Sequence, residues 1–202
     1  EGRAVWVKIC GVRDAPGLEA CVAAGADAVG FVLVASPRHI DEASARRLIE
    51  AARGRVATVA VFRRVDELAL HYARALGFDL VQGVVGAGVA VSADLLPVEI
   101  DGATLGARVR RWGARRVLVD GPRFGSGEPA DWERIAVVAR GRDVVLAGGL
   151  SSDNVAEAVR CVRPRGVDVS SGTESAPGQK DLARIHAFVS AARDAARTLE
   201  GS

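Results

Sequence analysis

The chain has 202 residues, of which 49% are hydrophobic, 26% charged and only 4% aromatic. This excludes a disordered or fibrous chain and requires a core resting on Ala, Val, Leu and Ile. The 27 basic and 25 acidic residues give a formal net charge of +2, with both signs scattered along the chain, which argues against a nucleic-acid partner.

The pairs Arg46-Arg47, Arg63-Arg64, Arg110-Arg111 and Arg115-Arg116 read as solvated helix faces and loop ends. Cys10, Cys21 and Cys161 are odd in number and lack CxxC spacing, against both a disulfide framework and a zinc cluster. No basic stretch followed by an apolar one opens the chain, and no run of about 18 apolar residues occurs in it. The expectation is therefore a cytoplasmic protein with no membrane partner. Helix faces of a monomer and a dimer look alike in sequence, so the oligomeric state stays open, leaning to a monomer.

Short β-branched runs alternate with Ala- and Arg-rich stretches of helical period. In chain order the reading is strand 5–9, helix 15–24, strand 28–33, helix 42–52, strand 57–62, helix 65–76, strands 80–82, 97–100 and 116–119, helix 130–139, strand 144–147, helix 152–162, strand 167–170 and helix 182–198. Eight such units in about 200 residues suit an α/β fold of one domain over 1–202, a (β/α)8 TIM barrel with short loops. An open doubly wound sheet fits less well, because the first strand runs into "KICGVRD" and not into a GxGxxG turn.

Side chains alternate along a strand, so Trp6, Lys8 and Cys10 share one face of "VWVKICG", while Val5, Val7 and Ile9 share the other. The aliphatic face should meet the helices, which places Lys8 inside the barrel and Cys10 at its rim. The same parity groups Leu118 with Asp120, and Asp168 with Ser170. A buried Lys8 needs an acidic partner, and Asp168 is expected to supply it, since the first and eighth strands of a closed barrel are neighbours. Among the 27 basic residues only Lys8 and Lys180 are lysine, which either a need for a compact point charge where a planar guanidinium would not fit or chance would explain. Cys21 and Cys161 read as small hydrophobes in helices, whereas Cys10 ends a strand beside a cation that favours its thiolate. Asp120, taken alone, also reads as a turn residue before Gly121-Pro122.

Two glycine- and serine-rich segments follow the last two strands. In "LAGGLSSDN", Gly148 and Gly149 allow close backbone approach to a ligand, and Ser151 or Ser152 suits a helix N-cap. In "GVDVSSGTESAPGQKD", Ser170, Ser171 and Gly172 can turn amides and hydroxyls toward an anion. Each alone is ordinary turn chemistry. At consecutive strand ends of a barrel they point to a phosphate.

The segments "VKICGVRD", "GADAVGFVL" with "SPRHI", "VLVDG", "LAGGLSSDNV" and "RPRGVDVSSGTESAPGQKD" resemble, in order, the signatures of the phosphoribosylanthranilate isomerases. The resemblance implies an eight-stranded barrel, without metal or organic cofactor, acting on a small phosphorylated substrate in tryptophan biosynthesis. It implies Cys10 as base and Asp120 as acid. It also implies Arg38 facing the anthranilate carboxylate, Gly149, Ser171 and Gly172 around the phosphate, and Asp168 at the substrate mouth. Two places depart from the family: "VQGVVGAG" keeps Gln82 but lacks the usual His, and "FGSGEPADW" has Ser126, Glu128 and Ala130 at altered positions.

Other readings are a broader isomerase that also accepts the analogous histidine-pathway substrate, and a barrel that binds a sugar phosphate without turnover. Cys10 argues against the first, since such barrels use Asp there. A metal-dependent epimerase is disfavoured because His39, His71 and His186 fall in a loop and two helices.

Overall fold

The computed structural model describes residues 5–90, 92, 95–99, 116–120 and 132–200. Eight parallel strands close into a barrel in sequence order: β1 Trp6–Cys10, β2 Ala28–Val32, β3 Ala57–Val65, β4 Leu80–Val85, β5 Leu95–Glu99, β6 Val117–Asp120, β7 Val144–Ala147 and β8 Gly166–Val169. Closure comes from β1 pairing with β8, Lys8 opposite Asp168. The described helices are α1 Ala15–Ala23, α2 Glu42–Ala52, α3 Glu67–Leu76, α4 Trp132–Ala139, α5 Val155–Val162 and α6 Leu182–Glu200.

The alternation expected in β1 holds. Val5, Val7 and Ile9 join the large aliphatic cluster between strands and helices, with Val29, Phe31, Val167 and Val169 from the flanking strands. A smaller cluster of Leu96, Leu118, Val145 and Ala147, with Trp6 against it, fills the barrel interior. Strand residues thus sort by parity into a core outside the barrel and a plug inside it.

Four of the described helices begin at an aspartate. The side chains of Asp14, Asp41, Asp66 and Asp181 accept from the amides of Gly17, Ser44, Ala69 and Arg184 at 2.7–3.0 Å, each satisfying a donor the first turn leaves open. Asp66 also corrects the expectation of a helix from residue 65. Val65 is fully buried and remains in β3, opposite Val85, and the helix starts after its cap. Both β3 and β4 run three residues beyond their expected ends, because the ladder resumes past an irregularity between Val61 and Arg64. The α5 helix starts three residues late. Ser151 N donates to Asn154 Oδ1 at 2.9 Å and Asp153 N to Ser151 Oγ at 3.2 Å, so residues 151–154 form a turn. The strand expected at 97–100 begins at Leu95, and Ile100 lies outside the described residues, as do residues 130–131 of the helix expected at 130–139.

Candidate active site

Every residue proposed from the sequence lies at or beside the C-terminal strand ends. Lys8 is fully buried and donates to Asp168 Oδ1 at 2.9 Å, the pairing expected from the β1–β8 seam. Burial alone would lower the Lys8 pKa, but Asp168, with Cys10, outweighs it, and the ammonium is held above its ordinary value.

Cys10, two residues further along β1, is 7% exposed. Burial pushes its thiol up, opposed by Lys8 and, from the loop after β8, by Lys180. The neutral thiol is therefore the resting form. Gly30 on β2, in register with Cys10, makes room for both groups: a Cβ there would stand 2.9 Å from Cys10 Sγ and 3.0 Å from Lys8 Nζ.

Asp120 ends β6, separated from β1 by β7 and β8 on the shorter way round. Burial, reinforced by the charge of Asp168, raises its pKa from 3.8 to about 6. A carboxyl poised there can hold a proton close to neutrality, which an ordinary aspartate cannot.

The loops after β7 and β8 interlock. A Cβ on Gly172 would fall 2.0 Å from the Leu150 carbonyl oxygen, so only glycine allows this contact. Ser171 and Gly172 open a 3-10 turn, Ser171–Thr173, whose first bond is Thr173 N to Ser170 O and whose C-terminal cap bond is Glu174 N to Ser171 O; the first amides of such a turn have no partner within it. Gly149 lies in the facing loop, where its carbonyl accepts from Asn154 Nδ2 at 2.9 Å.

Arg38, in the loop after β2, carries its stem over Gly11 and makes a two-pronged ion pair with Glu174, Nε to Oε1 at 2.7 Å and Nη2 to Oε2 at 2.8 Å. Glu174 begins a two-stranded ribbon, β9 Glu174–Ala176 and β10 Gln179–Lys180, that no pattern in the sequence announced. Lys180 reaches from this ribbon to Ser170 O, Thr173 Oγ1 and Glu174 Oε1. Its scarcity as a lysine marked it; nothing in the local pattern marked Glu174.

Gln82 lies on β4 and is 7% exposed, and its Oε1 has no hydrogen-bond partner. Ser126 and Glu128 lie outside the described residues, as does Ala130. A depression of about 650 Å³ lies at the opposite end of the barrel, lined by residues that include Trp6, Arg55, Thr58 and Asp79. Charged residues that line it have protein partners, such as Glu19 for Arg55 and Thr58 for Asp79. Among the described residues, no group of three or more His, Cys, Asp or Glu is placed to hold a metal ion, and no helix is long and apolar enough to cross a membrane.

Residues 7–191 match the family model described as N-(5'phosphoribosyl)anthranilate (PRA) isomerase. The chain belongs to the phosphoribosylanthranilate isomerase family. An isomerase of this name from Chromohalobacter salexigens is 43% identical over 195 residues, covering 91% of this chain and 92% of that protein. The crystal structure of phosphoribosylanthranilate isomerase from Thermotoga maritima superposes with a TM-score of 0.82 at 33% identity, over 94% of this chain and 99% of that one. A further crystal structure of the isomerase, in complex with reduced 1-(o-carboxyphenylamino)-1-deoxyribulose 5-phosphate, matches with a TM-score of 0.79 at 32% identity, over 94% and 99% of the two chains. Membership of the isomerase family agrees with the barrel and with a mouth carrying a thiol, a raised carboxyl and an arginine.

Proposed function

We propose that this chain catalyses the Amadori rearrangement of N-(5-phosphoribosyl)anthranilate to 1-(2-carboxyphenylamino)-1-deoxyribulose 5-phosphate, with Asp120 as general acid and Cys10 as general base. The observation that carries the reading is the raised Asp120 carboxyl, about 6, at the same barrel mouth as a buried Cys10 beside Lys8.

Protonated Asp120 gives its proton to the furanose ring oxygen as the C1–O bond breaks, and the anilino nitrogen lone pair forms the C1=N iminium. That cation acidifies the C2 hydrogen. The Cys10 thiolate removes it, the C–H electrons become the C1=C2 bond of an enolamine, and the iminium charge is quenched at nitrogen. Protonation at C1 with loss of the O2 proton then gives the ketone. Lys8 and Lys180 favour the thiolate that this step needs.

The same reading gives Arg38 the anthranilate carboxylate, and Gly149, Ser171 and Gly172 the phosphate. Asp168 holds Lys8 through Oδ1 and offers Oδ2 to the sugar hydroxyls. The test is turnover of N-(5-phosphoribosyl)anthranilate, followed by the change in anthranilate fluorescence. Steady consumption is expected; none at high enzyme concentration would refute the proposal.

A further inference from the structure

Five N–H donors surround a guanidinium, and Arg38 uses one on Nε and one on Nη2 to hold Glu174, which leaves three. Those three point away from the Glu174 side of the fork. Lys180 is in the opposite condition. Its ammonium has three donors, and all three are engaged, by Ser170 O at 2.8 Å, Thr173 Oγ1 at 3.1 Å and Glu174 Oε1 at 3.2 Å.

The side chains of Glu174 and Lys180 are 4% and 3% exposed, against 21% for Arg38. The trio carries a net charge of +1, and only Arg38 has both donors and access to offer an anion. Burial works to raise the Glu174 pKa, but Arg38 and Lys180 hold it below the ordinary range, so the carboxylate stays charged. A long arginine on a loop would otherwise lose rotamer freedom on meeting its ligand; here that ordering is done before binding.

We infer that Glu174, itself tied by Lys180 to the loop that carries Ser171 and Gly172, is a positioning residue that sets Arg38 for the substrate's carboxylate. The Lys180 tie joins the carboxylate seat to the phosphate seat, so the two ends of the substrate are received by one connected unit. The inference rests on the proposed role of Arg38.

A double-mutant cycle tests it, with kcat and KM for N-(5-phosphoribosyl)anthranilate measured in the parent, Glu174→Gln, Arg38→Ala and the double variant. The expected result is that Glu174→Gln raises KM about tenfold in the parent, with kcat within about threefold, and changes KM less than about twofold once Arg38 is gone. Glu174→Asp, which keeps the charge at shorter reach, follows the same pattern and serves if Glu174→Gln does not fold. An equal rise in KM with and without Arg38 would show a merely structural residue and overturn the inference while leaving the Arg38 assignment intact. An unchanged KM in Arg38→Ala would overturn that assignment, and the inference with it.

Discussion

Lys8 Nζ stands 2.9 Å from Asp168 Oδ1 across the seam where β1 meets β8, and the two side chains are 0% and 8% exposed. The contact closes the barrel and also fixes a cation beside Cys10. Breaking it from one side leaves a buried charge alone. Lys8→Met is therefore expected to cost about 3–5 kcal/mol of stability, measured by urea unfolding. Adding Asp168→Asn should restore part of that stability but not the activity, since Cys10 still lacks its nearest cation. Full activity in the double variant would contradict the role given to Lys8.

Asp120 should lower stability above neutrality. Its folded pKa, about 6, lies above the ordinary 3.8, so between those values the native state binds more protons than the unfolded one and stability falls as pH rises. At about 1.4 kcal/mol per unit the loss is about 3 kcal/mol, complete above pH 6. Asp120→Asn removes the ionisation, so it should be more stable than the parent at pH 8 and equal to it at pH 4. Equal melting temperatures at both pH values would mean that Asp120 is not strained when charged.

The pH dependence of kcat/KM should carry the same number. Below about 6 Asp120 remains protonated while the Cys10 thiolate grows tenfold per unit, so activity rises. Above about 6 that gain is cancelled by the ionisation of Asp120, and the profile flattens. In Asp120→Asn the residual activity should keep climbing through that region. A parent profile that climbs unbroken to pH 8 would remove Asp120 as the acid.

Gly30 offers a change that adds one methyl group. A Cβ there presses on Cys10 Sγ at 2.9 Å and Lys8 Nζ at 3.0 Å, and displacing a base by a fraction of an ångström can reduce turnover by one to two orders of magnitude. Gly30→Ala should lower kcat about 10–100-fold with KM changed less than about threefold. Parental kcat in a folded Gly30→Ala would show that the thiol and ammonium do not depend on that space.

The barrel was legible because its strands are short β-branched runs set between stretches of helical period, which leave plain local marks. The inward parity of Lys8 and Cys10 followed from the alternation in "VWVKICG", and the Lys8–Asp168 pair followed from closure alone. Element ends were less legible where side chains compete for the backbone. Asp66 delayed α3, the Ser151 and Asn154 turn delayed α5, and the β3–β4 ladder continued past a register shift that no local pattern announces. The Arg38–Glu174 contact joins residues 136 apart. No spacing rule reaches so far, and only folding brings the loop after β2 onto the ribbon after β8.

The most direct test of the acid and base assignment is steady-state turnover of N-(5-phosphoribosyl)anthranilate by Cys10→Ser and Asp120→Asn beside the parent. Each variant should lose about 10²–10⁴-fold in kcat, the range of general acid–base contributions, with KM within about threefold. A variant that keeps the parent's kcat and loses only substrate affinity would contradict the assignment.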